Sequence, residues 1–171
     1  MMHIFPHSAE NTVEGAQHCV HRAQERLRSA QIEMGAAQEN LTAARANLED
    51  AKREAAAKIP VDRTARELSG GGAIPDDHRD LKEDGQQKGY VVLSPAERAK
   101  GFVRPFRDAY RHSKCGKITT MSRDIAETYA RDPFFYSGTF CVTCKGHFPI
   151  GEDGEFTWYE MDGTEGPKVG T

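Results

Sequence analysis

The sequence predicts an α+β protein with three parts: a long N-terminal helix of the coiled-coil type, a Gly-rich linker, and a small C-terminal domain of short strands and two short helices. Three observations lead to this prediction. Apolar residues recur every seven positions through residues 13–58, three successive glycines stand at 70–72, and short apolar runs bounded by turn residues follow from residue 89. A sustained seven-residue period is typical of coiled coils, whereas glycine runs and short bounded strands are typical of linkers and small β domains.

Length and composition limit how much of the chain folds around one core. The chain has 171 residues, of which 37% are hydrophobic, and its mean hydropathy is −0.68. Both values are low for one compact core, so we expect a sizeable part to be extended or buried only against partners. No apolar run approaches the roughly 20 residues of a membrane span, which predicts no membrane partner. The start MMHIFPHSAENT lacks secretory-signal features, so we expect cytoplasmic folding, where structural disulfides are uncommon.

The heptad segment follows a polar lead-in, residues 1–12, in which Asn11 or Thr12 is a candidate N-cap. Large apolar residues occupy heptad position a, and alanine occupies position d three residues later. This spacing predicts a left-handed coiled-coil helix over residues 13–58. Ile59-Pro60 should end it, because proline disfavours helical backbone at the preceding residue. The candidate oligomerisation residues are Val13, Ala16, Val20, Ala23, Leu27, Ala30, Met34, Ala37, Leu41, Ala44, Leu48 and Ala51.

Alanine at position d limits the stability of an isolated pair of such helices. It removes buried area that leucine would supply, at ~25 cal/mol per Å², but a methyl group lets helix backbones approach closely. We therefore interpret the helix as a slender docking rod that packs against its own copies or in a groove of a larger assembly. The heptad pattern leaves both arrangements open.

Residues 59–88 are predicted to be a linker, because they combine the glycines at 70–72 with many charged residues. The compact domain should then comprise residues 89–171. Its predicted elements are a strand at 90–93, a helix begun by the capping box Ser94-Pro95-Ala96-Glu97 and stopped near Gly101, an irregular or edge strand at 102–110, a helix from Thr120 or Ser122 to Arg131, and strands at 134–140 and 156–161.

Three cysteines and a histidine of this domain have the spacing of a metal site. Two residues separate His112 from Cys115, and two separate Cys141 from Cys144. Two such pairs, 25 residues apart, are typical of structural zinc sites, in which four N and S ligands surround the ion tetrahedrally. His147 is an alternative fourth ligand, and a redox pair or buried thiols are the alternative interpretation of the cysteines. With four protein ligands the Zn²⁺ would be structural and the domain zinc-ribbon-like.

Charge is distributed unevenly within the domain. Residues 91–150 contain 10 Lys and Arg against 5 Asp and Glu, and residues 151–171 contain 1 against 6. Basic residues interleaved with Phe102, Phe106 and Tyr110 can contact phosphates and stack on bases. A solvated face, or pairing with the acidic tail, is the alternative, and the tail carboxylates are interpreted as solvated surface. The candidate nucleic-acid contacts are Arg104, Arg107, Arg111, Lys114 and Lys117.

The segments GYVVLSPAERAKGFVRP, HSKCGKITTM, AETYARDPFFY and TFCVTCKGHFP resemble a family of small, mostly uncharacterised zinc-binding proteins encoded by tailed phages and prophages. The resemblance covers about residues 89–165 and not the heptad helix. It implies a phage origin and a zinc-binding fold, with His112, Cys115, Cys141 and Cys144 at the matching metal positions.

These features together predict a non-enzymatic phage structural or assembly protein, a virion component such as a capsid decoration, connector or tail-associated protein, assembled in the bacterial cytoplasm. No enzyme is expected because the sequence contains no GxSxG, HExxH, Walker or GxGxxG motif. The predicted partners are other particle proteins, further copies of the chain, or both. The alternative is a dimeric zinc-domain phage protein that binds nucleic acid or regulates.

Overall fold

A computed structural model of the 171-residue chain describes residues 7–160 and 162–171, with side chains from residue 13. It confirms an α+β architecture with a long N-terminal helix and small sheets in the C-terminal part. The chain divides into two units, one ending at Glu49 and one running from Asp50 to Thr171. Among the described helices, none is long and apolar enough to cross a membrane.

Helix α1 runs from His7 to Ala57; its residues up to Glu49 make up the described part of the first unit, and its residues from Asp50 belong to the second. It begins before the candidate caps Asn11 and Thr12, since Ala9 and Glu10 are themselves good helix formers. Of the predicted lead-in, residues 1–6 lie outside the described residues. The predicted end at Ile59-Pro60 is confirmed within two residues.

The heptad residues of α1 are uncovered in the single chain. Every residue from 13 to 49 is exposed. The large position-a side chains keep between 51% (Leu41) and 65% (Met34) of their surface accessible. The first unit thus presents a continuous apolar stripe along one helix.

The second unit contains three small antiparallel sheets. A four-stranded sheet has the order β4-β3-β7-β8, and two hairpin-like pairs are β1-β2 and β5-β6. The strands are β1 Arg66–Leu68, β2 Val91–Leu93, β3 Ala109–His112, β4 Ile118–Thr120, β5 Gly138–Cys141, β6 Gly146–Pro149, β7 Phe156–Tyr159 and β8 Glu165–Lys168.

The two predicted short helices are present. Helix α2 is Pro95–Arg98, and the hydroxyl of its N-cap Ser94 accepts a hydrogen bond from the backbone N–H of Glu97 at 3.3 Å. Helix α3 is Arg123–Arg131, with Ser122 as its N-cap residue. The capping signals therefore located both helix starts.

Residues 59–88, predicted to be a linker, carry ordered elements of the second unit. β1 lies within them and pairs with β2, with Arg66 opposite Leu93. A 3-10 helix, Asp76–Arg79, follows. The glycines at 70–72 all have positive φ, a conformation that glycine adopts without strain, and they form the turn after β1. Glycine content alone does not distinguish such a turn from a linker.

The strand boundaries also differ from the prediction in two places. β5 begins at Gly138 rather than at 134, because the backbone N–H groups of Phe134 and Phe135 bond back to Asp132 and form a turn. Residues 102–108 form no strand, and β3 begins at Ala109. Met161, the last residue of the predicted strand 156–161, lies outside the described residues.

The core of the second unit joins the sheets to α3. Tyr110 of β3 faces Trp158 of β7 in register, and both rings are buried with Tyr129 of α3 and Phe156. The Tyr110 hydroxyl donates a 2.6 Å hydrogen bond to the carbonyl oxygen of Phe140. This bond connects the four-stranded sheet to the β5-β6 pair.

Arg131, at the end of α3, holds the last turn of α1. Its guanidinium, 0% exposed, donates to the carbonyl oxygens of Ala56 at 3.0 Å and Ile59 at 2.9 Å and to Glu97 at 3.1 Å. Burial raises the pKa of Glu97, but hydrogen bonds from Lys100 and Arg131 outweigh it and lower that pKa below its usual value. The result is a buried ion pair that also donates hydrogen bonds to carbonyl oxygens at and just beyond the end of α1.

We predict that Arg131→Met destabilises the second unit by about 3 kcal/mol, because it removes one of the two cationic partners of the buried Glu97 and the donor to the carbonyl oxygens of Ala56 and Ile59. The matched control is Arg123→Met on the same helix. The Arg123 side chain is 85% exposed and pairs with Glu127 on the surface, so its loss should cost under about 1 kcal/mol. Urea unfolding of the full chain measures both, and equal losses would contradict this role of Arg131.

Candidate metal centre

Two hairpin turns bring the predicted metal ligands together. His112 is the last residue of β3, and Cys115 lies in the turn between β3 and β4; Cys141 is the last residue of β5, and Cys144 lies in the turn between β5 and β6. One ligand atom from each of the four residues lies within 4.8 Å of the others. All three thiols are free. The cluster can hold a metal ion.

The distances within the cluster are compatible with zinc. His112 Nδ1 lies 3.4 Å from the Sγ atoms of both Cys115 and Cys144, and the Sγ atoms of Cys115 and Cys141 are 3.6 Å apart. A tetrahedral Zn²⁺ with Zn–S near 2.3 Å and Zn–N of about 2.0–2.1 Å holds its sulfurs ~3.8 Å apart and its N and S atoms ~3.5 Å apart. The side chains thus already have nearly the spacing that such an ion requires.

Local backbone conformation directs amide groups at the sulfurs. Gly116 has φ of 68°, which turns the chain so that the Lys117 N–H bonds to the Cys115 thiol. In the other turn the Cys144 N–H points at Cys141 Sγ at 3.5 Å, and Lys145 has φ of 51°. Amide donors of this kind reduce the charge that a metal-bound thiolate carries.

His112 is fixed in position from every side. Its ring is 1% exposed and lies between the rings of Phe148 and Phe156, with centroids at 4.7 and 4.6 Å and interplanar angles of 29° and 23°. Its Nε2 lies 2.8 Å from a carboxylate oxygen of Glu155. Because that nitrogen donates to Glu155, Nδ1 is left as a lone-pair ligand facing the thiols.

Glu155 is a functional residue that the sequence interpretation missed. Its other oxygen accepts a 2.6 Å hydrogen bond from Lys114 Nζ. Hydrogen bonds from His112 and Lys114 lower the pKa of Glu155, so it is a carboxylate. The sequence had placed it among solvated tail carboxylates, and the one available signal was its position immediately before the buried Phe156 of β7.

The thiols influence one another's ionisation. The backbone N–H of Lys117, followed by Cys141 and His112, lowers the pKa of Cys115 to about 7. Burial and the neighbouring thiols raise the pKa of Cys144 to about 11. Cys115 therefore loses its proton readily, whereas burial and the neighbouring thiols oppose ionisation of Cys144. A bound cation removes this conflict, because it stabilises all the negative charges at once.

The alternative ligand His147 lies outside the cluster. Its Nε2 is 3.1 Å from the hydroxyl oxygen of Tyr90, and its pKa is lowered by burial. The segment before Tyr90 also packs on the turn between β5 and β6. Gly85, with φ of 85°, lies so close to this turn that a Cβ on residue 85 would lie 2.1 Å from the carbonyl oxygen of Lys145.

Most of the candidate nucleic-acid contacts are engaged within the second unit. Arg107 binds Glu160 at 2.7 Å, Arg111 lies 3.9 Å from Glu165, and Lys114 binds Glu155. The remaining two contact no carboxylate among the bonds described: Arg104 donates to the backbone carbonyl oxygen of Thr171, and Lys117 is exposed. Three of the five therefore pair with carboxylates of the acidic tail, the alternative that the charge distribution had suggested.

A separate cavity of about 440 Å³ is lined by residues of β4, β5 and α3. Tyr110 contributes its hydroxyl, which is already bonded to Phe140 and Thr139. The other lining groups are hydroxyls, an amide and apolar side chains, with no carboxylate, imidazole, amine or thiol among them.

Comparisons with protein-family models, with curated proteins and with solved structures return no match for this chain.

We predict about one zinc ion per full-length chain, measured by elemental mass spectrometry after purification without chelator. Cys141→Ser should lose the metal, because three ligands hold it far more weakly than four. Two variants are controls: His147→Ala removes the alternative ligand, and Cys19→Ser removes the cysteine on α1. Both should keep the zinc, and loss of zinc in His147→Ala would contradict the ligand set.

We predict that Glu155→Ala weakens zinc binding by about 10- to 100-fold, the range for loss of a carboxylate that orients a metal-bound histidine. Glu165→Ala is the matched control, since Glu165 is a tail carboxylate that faces Arg111 rather than the cluster. Competition with a chromophoric chelator measures both affinities. Equal affinities for the two variants would contradict an orienting role for Glu155.

Proposed function

We propose that the protein is a non-enzymatic structural or assembly protein. Its C-terminal part folds around a structural zinc ion, and it docks through α1. The observation that carries the proposal is the uncovered stripe of α1, in which every large position-a residue keeps more than half of its surface exposed. Monomeric soluble proteins rarely expose apolar surface that is continuous over such a length.

The proposed zinc ion has a structural role, because its four protein ligands leave no open position for substrate or water. The two hairpin turns each supply two ligands, which is the arrangement of a zinc ribbon. Zinc would join the β3-β4 turn to the β5-β6 turn, two segments otherwise connected by a 3.3 Å hydrogen bond from the Val142 N–H to the Thr119 hydroxyl, by the Tyr110–Phe140 hydrogen bond and by core packing. Its binding free energy would then contribute directly to folding.

The proposal of a non-enzymatic protein is supported by the lining of the 440 Å³ cavity. Its lining has hydroxyls, one amide and apolar side chains but no carboxylate, imidazole, amine or thiol, the groups that most often activate a hydroxyl nucleophile or transfer its proton. The described lining residues thus provide polar and apolar contact surface, but no acid or base beside the hydroxyls within the lining itself.

The proposed setting is the particle of a tailed phage, where the chain would be a virion component in contact with other particle proteins. This part of the proposal is supported by the family resemblance of residues 89–165 and by the docking stripe. Arg107, Arg111 and Lys114 face carboxylates of the same chain, and a nucleic-acid contact would replace these pairings.

We predict that mass spectrometry of particles purified from the encoding phage detects the chain. The combined variant Leu27→Gln, Met34→Gln, Leu41→Gln keeps good helix formers but removes the centre of the stripe, so it should be lost from particles. Ile32→Gln is the matched control, because Ile32 is 66% exposed and lies at heptad position f, away from the stripe. Absence of the unaltered chain from particles would contradict the proposal that it is a virion component.

A further inference from the structure

The stripe of α1 has an unusual division into two sizes of residue. Position a holds Val, Leu or Met in six successive heptads from Val13 to Leu48, and position d holds alanine in six from Ala16 to Ala51. All of these position-a and position-d residues are exposed. A partner helix must therefore fill a surface in which large and small residues alternate.

A second copy in parallel orientation fits this surface poorly. In a parallel pair each layer joins like positions, a with a′ and d with d′. Layers of two large residues (Val, Leu or Met) would alternate with layers of two alanines. The layers of large residues would hold the helices apart, and the alanine layers between them would be left with voids, which cost stability.

A second copy in antiparallel orientation fits well. Each layer then joins position a of one chain to position d′ of the other, so that every layer contains one large residue and one alanine. All layers have the same size, and large and small side chains interdigitate across the interface. We propose that α1 pairs antiparallel with α1 of a second copy of this chain, with each position-a side chain packed on a partner alanine.

The side chains on one flank of the stripe agree with this pairing, whereas on the other flank Glu33, at position g, faces Glu33 of the second copy. In an antiparallel pair position e faces position e′, and position e is glutamine in four successive heptads, at Gln17, Gln24, Gln31 and Gln38. These uncharged residues can hydrogen-bond across the interface without repulsion. In the antiparallel orientation the N-terminal end of each helix also lies beside the C-terminal end of its partner, so the two macrodipoles attract each other.

The available area is sufficient for a specific dimer. From Val13 to Leu48 the stripe extends ~54 Å at 1.5 Å per residue, and a helix is about 10–12 Å wide. The contact is then roughly 600 Å² per chain, or about 1,200 Å² in total, the lower bound for specific interfaces. We therefore expect a dimer that dissociates on dilution rather than a permanent one.

The inference deepens the proposed docking role of α1 by naming a second copy as its partner, and spin labels on the full chain test it. Cys19 is exposed on α1, whereas the other three cysteines are proposed zinc ligands. In an antiparallel pair centred on the stripe the two Cys19 residues lie ~39 Å apart along the axis, at 1.5 Å per residue. In a parallel pair in register they lie side by side.

Sedimentation should show a concentration-dependent dimer, and pulsed electron spin resonance should give a Cys19–Cys19 distance between about 25 and 50 Å. The triple variant Leu27→Gln, Met34→Gln, Leu41→Gln should be monomeric, while Ile32→Gln should dimerise as the unaltered chain does. Zinc-loaded Cys19→Ser is the labelling control and should take up no label.

A distance below about 20 Å would overturn the antiparallel pairing in favour of a parallel one. A chain that stays monomeric up to about 100 µM, so that any dissociation constant lies above that concentration, would overturn self-pairing altogether. The latter result would leave docking on a different particle protein standing. Conversely, absence from particles would leave the dimer untouched.

Discussion

The second unit depends on the convergence of two hairpin turns on one point. Four ligand atoms lie within 4.8 Å of one another, and three of them are thiol sulfurs, of which Cys144 has its pKa raised by burial and by the neighbouring thiols. Around this point the fold is arranged in shells. Phe148 and Phe156 enclose the His112 ring, and Glu155 holds the nitrogen that faces away from the thiols. Strand β3 pairs with both β4 and β7. His112, at the end of β3, therefore lies beside the other ligands on one side and beside Phe156 and Glu155 on the other. The proposed zinc ion supplies the positive charge that lets them coexist.

A second constraint acts where α1 ends. The Arg131 guanidinium is buried with Glu97 and binds carbonyl oxygens at Ala56 and Ile59. Burying a charge is costly unless it is paired and fully hydrogen-bonded, and here the pair obtains its remaining partners from the end of the helix. The last turn of α1 is therefore a structural part of the second unit. The heptads before it carry the proposed interaction, so folding and association use different parts of the same helix.

The sequence predicted features that depend on local spacing. The seven-residue period located α1, the capping box located α2, and the two-residue gaps located the ligand pairs. It did not predict features that depend on contacts between distant residues. The pairing of β1 with β2 joins strands that are separated by the glycine turn, the 3-10 helix and further residues, so composition made residues 59–88 resemble a linker. Glu155 and Arg131 are ordinary charged residues in sequence, and their roles follow only from 43- and 72-residue separations closed by the fold.

X-ray absorption spectroscopy of the zinc-loaded full chain tests the central claim, a single ion held by His112, Cys115, Cys141 and Cys144, most directly. A site closed by these four ligands should give a first shell of three sulfurs at about 2.3 Å and one nitrogen at about 2.0–2.1 Å, with the outer-shell scattering of an imidazole ring. A shell with two sulfurs or fewer, or with an oxygen from solvent, would contradict the closed four-ligand site. It would also remove the basis for a purely structural metal.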